Sequence, residues 1–301
     1  MKILLTGATG FLGSNLLRYL ISTSDYEVCI VKRSFSNVSK ITDELYNNRV
    51  TYFDLDKNSL ETVFEKNEFD TIVHTATEYG KSDNSMYKVV ESNLLFPVNL
   101  VELAIKYGVK NFVNTDSFFT KETRNYSNSL NYSISKKQFL VWLRHVSKQI
   151  QVTNICLEHM YGPFDSSSKF VEMLFQEIAV KKVSKLKLTH GHQKRDFVFI
   201  NDVVAAYLII IKHGFENNFS FKNYEIGTGV GVEVRHLALL IKEISQSHTI
   251  LGFGDIEYRP DEIMYSAAKV STMADLGWTP KVSLKTGIKT ILKSYQRSGI
   301  L

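Results

Sequence analysis

Tyr132 and Lys136 are the two residues whose types and spacing point most directly to catalysis. A separation of four residues places both side chains on one face of a helix, one turn apart. The positive charge of the lysine favours tyrosinate, so we expect it to lower the phenol pKa, and its ammonium is suited to holding ribose hydroxyls. The pair predicts an acid/base device, although the same spacing is common on ordinary helix surfaces.

A glycine-rich segment lies near the start of the chain. Residues 6–13 read Thr-Gly-Ala-Thr-Gly-Phe-Leu-Gly, with glycine at positions 7, 10 and 13. Such glycines permit a tight turn, a close approach of the backbone to a pyrophosphate and close packing of the following helix. Because the segment follows an apolar run and opens an apolar-periodic helix, it predicts a dinucleotide site at a helix N-terminus.

The end of the second predicted strand indicates which dinucleotide binds. About twenty residues after Gly13, where an acidic residue would bond the ribose hydroxyls of NAD, the chain reads Lys32-Arg33-Ser34. A guanidinium such as that of Arg33 binds a ribose phosphate, which an acid would repel. The sequence therefore favours NADPH, and the alternative interpretation is a solvated strand end.

These residues need a scaffold, and the apolar pattern predicts one. Short apolar runs at residues 2–6, 28–31, 50–53, 71–74, 112–115 and 152–157 alternate with helical patterns. This alternation predicts an α/β fold with a parallel, doubly wound Rossmann sheet. We expect a dinucleotide-binding domain over residues 1–162 and a smaller, mainly substrate-binding domain over residues 163–301, with short strands at residues 187–189, 197–200 and 224–226.

Composition excludes several classes of protein. The net charge of +5 suits an anionic ligand, but the lysines are dispersed and form no basic stripe, so nucleic acid is not expected. Cys29 and Cys156 fall in predicted strands and suggest core thiols in a reducing, cytoplasmic compartment. His190 and His192 have no third ligand in sight, so no metal site is predicted. Neither a signal peptide nor a membrane anchor is expected.

Together with Thr115, which ends another predicted strand, these motifs resemble the extended short-chain dehydrogenase/reductase family, the NAD-dependent epimerases and dehydratases of sugar nucleotides. The resemblance implies that Tyr132 protonates a substrate oxygen, that Lys136 tunes the phenol and holds the nicotinamide ribose, and that Thr115 donates to the same oxygen. The implied cofactor-binding residues are Thr6, Gly7, Thr9, Gly10, Phe11, Leu12, Gly13, Lys32, Arg33, Ser34, Asp54, Leu55, Thr75, Ala76, Thr77, Asn93, Tyr132 and Lys136.

The resemblance spans essentially the whole chain and implies that segments after the sixth strand return to the first domain. It also implies a site for a nucleoside-diphosphate sugar. Arg195 and Arg259 match family arginines that hold the diphosphate, and Glu262 matches an acid that meets the ribose. His159 is equally suited to packing in a loop, and Glu78 to pairing with a lysine. The implied substrate-binding residues are Glu78, Asp116, Ser117, His159, Lys169, Phe170, Arg195, Arg259 and Glu262.

The residues after Thr115 help to choose the reaction. Dehydratases that the chain resembles carry Thr-Asp-Glu, whereas this chain reads Thr115-Asp116-Ser117 and lacks the carboxylate base. A 4-epimerase, which keeps NAD bound, fits poorly with Arg33. The resemblance therefore implies NADPH-dependent reduction of the 4-keto group of a nucleotide-linked deoxyhexose.

Two unusual segments, at residues 77–80 and 157–163, together with residues 114–119, resemble the members of the family that reduce CDP-linked 4-keto sugars. This resemblance implies CDP-4-keto-3,6-dideoxyglucose as the substrate and CDP-abequose or CDP-paratose as the product, in O-antigen synthesis. Three alternatives stay open: a reductase of a dTDP-linked 4-keto-6-deoxyhexose, a sugar-nucleotide 4-epimerase, and a regulator that senses NADPH without chemistry. The resemblance also implies a homodimer formed through helices near residues 89–107 and 132–146.

Overall fold

The computed structural model describes residues 1–80, 85–121 and 130–301. The chain forms two compact units. The first unit comprises Met1–Cys156 with Val204–Tyr224, and the second comprises Leu157–Val203 with Glu225–Leu301. A later segment of the chain thus belongs to the first unit. The sequence interpretation gave the first domain as residues 1–162 with later segments returning to it, and that division stays a prediction.

Strands and helices alternate along the described residues. The strands are β1 (Lys2–Thr6), β2 (Glu27–Lys32), β3 (Val50–Asp54), β4 (Thr71–His74), β5 (Asn111–Ser117), β6 (Gln151–Leu157), β7 (His159–Tyr161), β8 (Lys185–Leu188), β9 (Lys194–Arg195), β10 (Phe197–Phe199), β11 (Phe221–Ile226), β12 (Val232–Glu233) and β13 (Ile250–Phe253). The α-helices are α1 (Phe11–Thr23), α2 (Leu60–Glu65), α3 (Met86–Val90), α4 (Phe96–Lys106), α5 (Leu130–Val146), α6 (Phe170–Phe175), α7 (Ile200–Glu216), α8 (Val234–Ser245), α9 (Ser271–Ala274) and α10 (Leu284–Arg297). Short 3₁₀ turns lie at Glu44–Tyr46 and Phe118–Thr120, and π-helical turns at Glu91–Leu95 and Gln176–Val180.

Seven strands form one sheet in the order β11-β6-β5-β4-β1-β2-β3. Neighbours from β3 through β5 pair in parallel, which confirms the predicted Rossmann architecture. The register aligns Thr6 with Val31 and with His74, and aligns Lys32 with Asp54. Because carboxyl ends of parallel strands meet at one edge, the loops after β1, β2 and β4 lie together there.

The packing of α5 fixes the direction of its polar residues. Phe139 is fully buried in the core of the first unit, where its ring meets Phe112 of β5 edge-on at 6.2 Å. Tyr132, Lys136 and Leu143 are buried on the same helical stripe, at spacings of three and four residues from Phe139 or from each other. The apolar half of the stripe therefore holds the Tyr132–Lys136 half against the sheet.

The second unit contains three small sheets of two strands each. β7 pairs with β10 and β8 with β13 in parallel, while β9 pairs with β12 antiparallel. The strand expected at residues 197–200 stops at Phe199, because Ile200 begins α7. The strand expected at residues 224–226 is the end of β11, which belongs to the seven-stranded sheet. The boundary between the two units falls inside β11, after Tyr224.

Two further features bear on the sequence predictions. Cys29 in β2 and Cys156 in β6 are buried free thiols, as predicted. Among the helices built from described residues, none has both the length and the apolar character needed to cross a membrane.

Candidate functional site

The glycine loop forms a cradle that side chains would fill. Gly7 has φ +74°, and a Cβ added there would lie 2.5 Å from the Ala76 backbone nitrogen. A Cβ on Gly13 would lie 2.1 Å from the Gly7 carbonyl oxygen. Helix α1 then begins at Phe11 with its first N–H groups uncovered by any side-chain cap from Gly10. An anion such as a pyrophosphate fits this N-terminus.

The loop after β4 is bonded to β1 beside this cradle. The Thr75 hydroxyl donates to the Thr6 carbonyl at 2.7 Å, and the Thr6 hydroxyl lies 2.7 Å from Nδ1 of His74. The backbone N–H of Ala76 points to the Thr6 hydroxyl at 3.4 Å. Burial holds the pKa of His74 well below its ordinary value, with the Lys136 charge acting in the same direction. The imidazole is therefore neutral, and its hydrogen bond to Thr6 joins the ends of β1 and β4.

Asn93 connects this region to α5. Its Oδ1 accepts hydrogen bonds from the Glu78 N–H at 2.8 Å and the Thr77 hydroxyl at 3.2 Å. Its Nδ2 donates to the Glu78 carbonyl at 2.8 Å and to Ser135 Oγ at 3.1 Å. An amide offers two donor and two acceptor positions, and all are used here. The predicted cofactor contact of Asn93 stays a prediction, and its observed role is to join the loop to α5.

The residues at the ends of β2 and β3 form a small charged group. Asp54 accepts from the Ser34 hydroxyl at 2.7 Å, which lowers the pKa of its carboxyl, and lies 3.5 Å from Lys32 Nζ. The guanidinium of Arg33 is exposed and stacks on the Phe35 ring at 4.5 Å. Lys32 is thus engaged with Asp54, while Arg33 faces solvent.

Four other predicted cofactor residues differ in their burial. Leu12 is buried and Leu55 packs against the core, so both serve mainly to position the backbone. Thr9 and Phe11 are partly exposed in the glycine loop.

The predicted catalytic residues gather at the end of β5, with one addition. Lys136 Nζ donates to the backbone carbonyl of Thr115 at 2.9 Å. The Thr115 hydroxyl lies 2.7 Å from the hydroxyl of Tyr207, a fully buried residue of α7. Tyr132 is buried, with the Tyr79 ring stacked on it at 4.9 Å. We call Thr115, Tyr132, Lys136 and Tyr207 the β5 cluster.

Burial dominates the electrostatics of the β5 cluster. It lowers the pKa of Lys136 to about 8, against the opposing effect of the Asp116 charge. Burial raises the pKa of Tyr132 well above its ordinary value, and the Ser117 side chain acts in the opposite direction. The expectation that Lys136 depresses the phenol pKa was wrong, because burial outweighs every other influence and the ammonium bonds the Thr115 carbonyl instead.

Asp116 is engaged inside the protein. Its carboxylate accepts from the Ser117 N–H at 2.8 Å, the Thr120 hydroxyl at 3.0 Å and the Asn154 amide at 3.1 Å. Burial raises the pKa of this carboxyl, while the Lys136 charge lowers it. Its predicted substrate contact stays a prediction. Glu78 likewise turns back on its own loop, accepting from the Gly80 N–H at 2.9 Å.

In the second unit, two of the predicted substrate residues are in direct contact. The Arg195 guanidinium, on β9, donates to Glu262 at 2.5 Å and to the Lys194 carbonyl at 3.0 Å. Arg259 lies in the same turn as Glu262, whose N–H bonds the Arg259 carbonyl at 3.1 Å. With Asp196, these residues are called the β9 cluster.

Asp196 is a residue that sequence reasoning missed. It is fully buried, and its carboxylate accepts from the Thr228 N–H at 2.7 Å, the Thr228 hydroxyl at 2.6 Å, the Gly229 N–H at 2.8 Å and the Ala268 N–H at 3.1 Å. It therefore ties two loops to the strand that carries Arg195. The available signal was an acid beside Arg195 combined with a Gly-Thr-Gly segment able to donate N–H groups.

Glu158 and His159 lie close to the β9 cluster in the same unit. Both carboxylate oxygens of Glu158 accept from the Ser266 hydroxyl, at 2.9 and 2.8 Å, and the carboxylate lies 3.8 Å from the His159 ring. The backbone N–H of His159 donates to the backbone carbonyl of Asp196 at 3.0 Å. Burial lowers the pKa of the His159 imidazole.

The remaining candidates lie elsewhere in the second unit. Lys169 directly precedes α6 and Phe170 begins it, and both are partly buried. The rings of His190 and His192 stack at 6.3 Å. In the part of the chain that the structure describes, no group of three or more metal-binding side chains is present.

Similarity to known proteins covers nearly the whole chain. The CDP-abequose synthase of Salmonella typhimurium is 36% identical over 299 residues, with 97% of each chain covered. The CDP-abequose synthase of Salmonella muenchen is 33% identical over 295 residues, again with 97% of each covered. The crystal structure of UDP-glucose 4-epimerase from Thermotoga maritima with UDP-glucose shares the fold, with a TM-score of 0.83, 23% identity and 99% of each chain covered. A model of the NAD-dependent epimerase/dehydratase family matches residues 3–227, and this chain belongs to that family.

Proposed function

We propose that the protein is an NADPH-dependent reductase of the 4-keto group of a nucleotide-linked deoxyhexose, with CDP-4-keto-3,6-dideoxyglucose as its substrate and CDP-abequose or its C4 epimer as product. The β5 cluster carries the proposal, because it places a buried phenol, a threonine and a lysine at one strand end. Relatives named CDP-abequose synthase at 33% identity or more support the choice of sugar. The free thiols Cys29 and Cys156 favour a reducing, cytoplasmic setting.

The cofactor is assigned to the glycine cradle. The backbone of residues 7–13 would hold the pyrophosphate, and the exposed guanidinium of Arg33 would bind a ribose phosphate with two parallel hydrogen bonds. NADPH supplies a hydride when bound. Asp54 bonds Ser34 and lies beside Lys32, so the negative charge of its carboxylate is partly neutralised. This supports a phosphate at this edge, because the carboxylate then repels it less.

Tyr132 supplies the proton. Reduction adds a hydride to the carbonyl carbon and a proton to its oxygen, and the phenol is protonated at neutral pH because burial raises its pKa. The Ser117 side chain stabilises the tyrosinate left behind. Thr115 donates a hydrogen bond to the same substrate oxygen, and Lys136, cationic below its pKa of about 8, fixes the Thr115 backbone.

The β9 cluster is assigned to the nucleotide. The planar guanidinium of Arg195 matches two phosphate oxygens, and Arg259 adds a second cation from the adjoining turn. Glu262 then shares its carboxylate with a ribose hydroxyl. His159, Lys169 and Phe170 complete the proposed set.

A homodimer is proposed from an apolar surface on the first unit. This surface consists of four side chains that are each about half exposed or more: Met86, Leu95, Val141 and Trp142. They lie on α3, the π-helical turn Glu91–Leu95 and α5, which contact one another. A second copy of the chain would bury these side chains. Analytical ultracentrifugation tests this, since Val141→Glu should shift a dimer to monomer while the exposed Val230→Glu should leave it unchanged. A wild-type monomer at micromolar concentration would contradict the dimer.

The function is tested by incubating the pure protein with NADPH or NADH and a panel of CDP-, dTDP- and GDP-linked 4-keto sugars, with the products identified by NMR. We expect NADPH oxidation with the CDP-linked dideoxy sugar. Turnover only with dTDP sugars would favour the first alternative, and interconversion of C4 epimers without net cofactor oxidation would favour an epimerase. Tight NADPH binding without turnover of any sugar would favour a regulator.

A further inference from the structure

Tyr207 presents an unusual combination of burial and hydrogen bonding. Its side chain is fully buried, and it carries a hydroxyl into the apolar run of α7, between Ala206 and Leu208. Within the described residues its hydroxyl makes one hydrogen bond, to the Thr115 hydroxyl at 2.7 Å. Burial raises the pKa of the phenol, so it keeps its proton. A phenylalanine would satisfy packing at this position, and the hydroxyl therefore needs an explanation.

The direction of this hydrogen bond follows from the number of protons available. If Thr115 donated, the phenol proton would be buried without an acceptor, which costs about 1–3 kcal/mol. If Tyr207 donates, its proton is satisfied and the Thr115 oxygen accepts. The threonine's own proton is then left to point elsewhere, and a hydroxyl that accepts one hydrogen bond is a stronger donor in the next.

We propose that Tyr207 is a positioning residue that makes Thr115 a hydrogen-bond donor to the substrate oxygen. Thr115 is held at two points, its carbonyl by Lys136 at 2.9 Å and its hydroxyl by Tyr207 at 2.7 Å. The first contact fixes the backbone, and the second selects which way the hydroxyl proton points. The inference rests on the proposed ketoreductase and adds to it a residue that does not touch the substrate.

The kinetic test compares Tyr207→Phe in two backgrounds. In the wild-type background we expect kcat to fall about tenfold and KM for the sugar nucleotide to change little, because one oriented donor is weakened. In a Thr115→Val background, Tyr207→Phe should cause no further loss, since it acts through the missing hydroxyl. A Thr115→Ser background should restore the tenfold effect. Equal losses in the wild-type and valine backgrounds, or an unchanged kcat in the wild type, would overturn the proposal.

A second measurement does not depend on turnover. Neutron diffraction from the deuterated, ligand-free protein should show the Tyr207 deuteron directed at the Thr115 oxygen. A Thr115 deuteron directed at Tyr207 would overturn the inference. Absence of turnover by the wild-type protein with every keto sugar contradicts the proposed function, whereas turnover that is insensitive to Tyr207→Phe contradicts only the role of Tyr207.

Discussion

The β5 cluster and the β9 cluster hold their polar groups in opposite ways. In the β5 cluster, Thr115 is held through its hydroxyl and its carbonyl, and the surrounding phenols are neutral. In the β9 cluster, Arg195 is held by a direct ion pair with Glu262. The first arrangement can act without displacing a partner. The second must exchange or share a charged partner when a phosphate arrives. Changes in the β5 cluster should therefore alter kcat, and changes in the arginine should alter KM.

The largest effect is expected from Tyr132→Phe. Without the phenol proton, reduction should slow by about a thousandfold, while binding of the nucleotide sugar is unchanged, because the ring and its packing are retained. Steady-state kinetics with NADPH and isothermal titration with the sugar nucleotide measure the two quantities. Tyr46→Phe, at an exposed position, is the matched control. A mutant that keeps more than a tenth of the wild-type kcat would remove the proton-donating role of Tyr132.

The next effect concerns stability rather than rate. Asp196→Ala leaves three backbone N–H groups and the Thr228 hydroxyl without their acceptor, so the free energy of unfolding should fall by about 3 kcal/mol. Urea denaturation measures the change, and the exposed Asp275→Ala is the control from the same unit. A loss no greater than that of the control would show that Asp196 is not the residue that holds these loops.

The contrast between the clusters also shows what local sequence can predict. The strands of the sheet and the glycine loop were predictable because their periodicity and spacing are local. The pair Tyr132 and Lys136 was found for the same reason. Tyr207 lies 92 positions from Thr115 within an ordinary apolar helix, so its contact depends on tertiary packing that no local pattern shows. The role of Asp196 likewise depends on loops that meet only in the folded unit.

Electrostatic expectations failed for a related reason. The spacing of Tyr132 and Lys136 predicted their shared face but not the depth of burial, which raises the pKa of the phenol instead of lowering it. The pairing of the strand that holds residues 224–226 with β6 likewise has no local signal, because the neighbours of a strand are set by the whole sheet.

Arg195→Met should raise KM for the sugar nucleotide by about thirtyfold and change kcat little, because a bidentate phosphate contact is lost. The KM of Arg195→Lys should lie between those of the wild type and Arg195→Met, since an ammonium keeps the charge but lacks the planar fork. Arg235→Met, which removes a guanidinium stacked on Phe253 at 4.3 Å, is the control. A fall in kcat with an unchanged KM would mean that Arg195 takes part in the chemical step. It would contradict the assignment of kcat effects to the β5 cluster and KM effects to Arg195.

Arg33→Ala tests a third kind of site, an exposed cation held by an aromatic ring. KM for NADPH should rise about tenfold while KM for NADH stays the same, because only the ribose phosphate is lost as a partner. Lys32→Ala should have a smaller effect, since Lys32 already lies beside Asp54. Equal changes for both dinucleotides would mean that Arg33 does not select between them.

The smallest expected effect is a shift in the pH profile of the β5 cluster. Lys136 has a pKa of about 8, so its ammonium, and with it the anchor on the Thr115 carbonyl, is lost as pH rises through that value. Activity should therefore fall on the alkaline side. The Asp116 charge raises the pKa of Lys136, so Asp116→Asn should move the alkaline limb of the pH profile to lower pH. Activity at pH 6 should change less than activity on that limb. The pH dependence of kcat/KM measures the limb, with Asp275→Asn as control. A limb that stays in place would mean that another group titrates, and one that moves to higher pH would contradict the sign of the coupling.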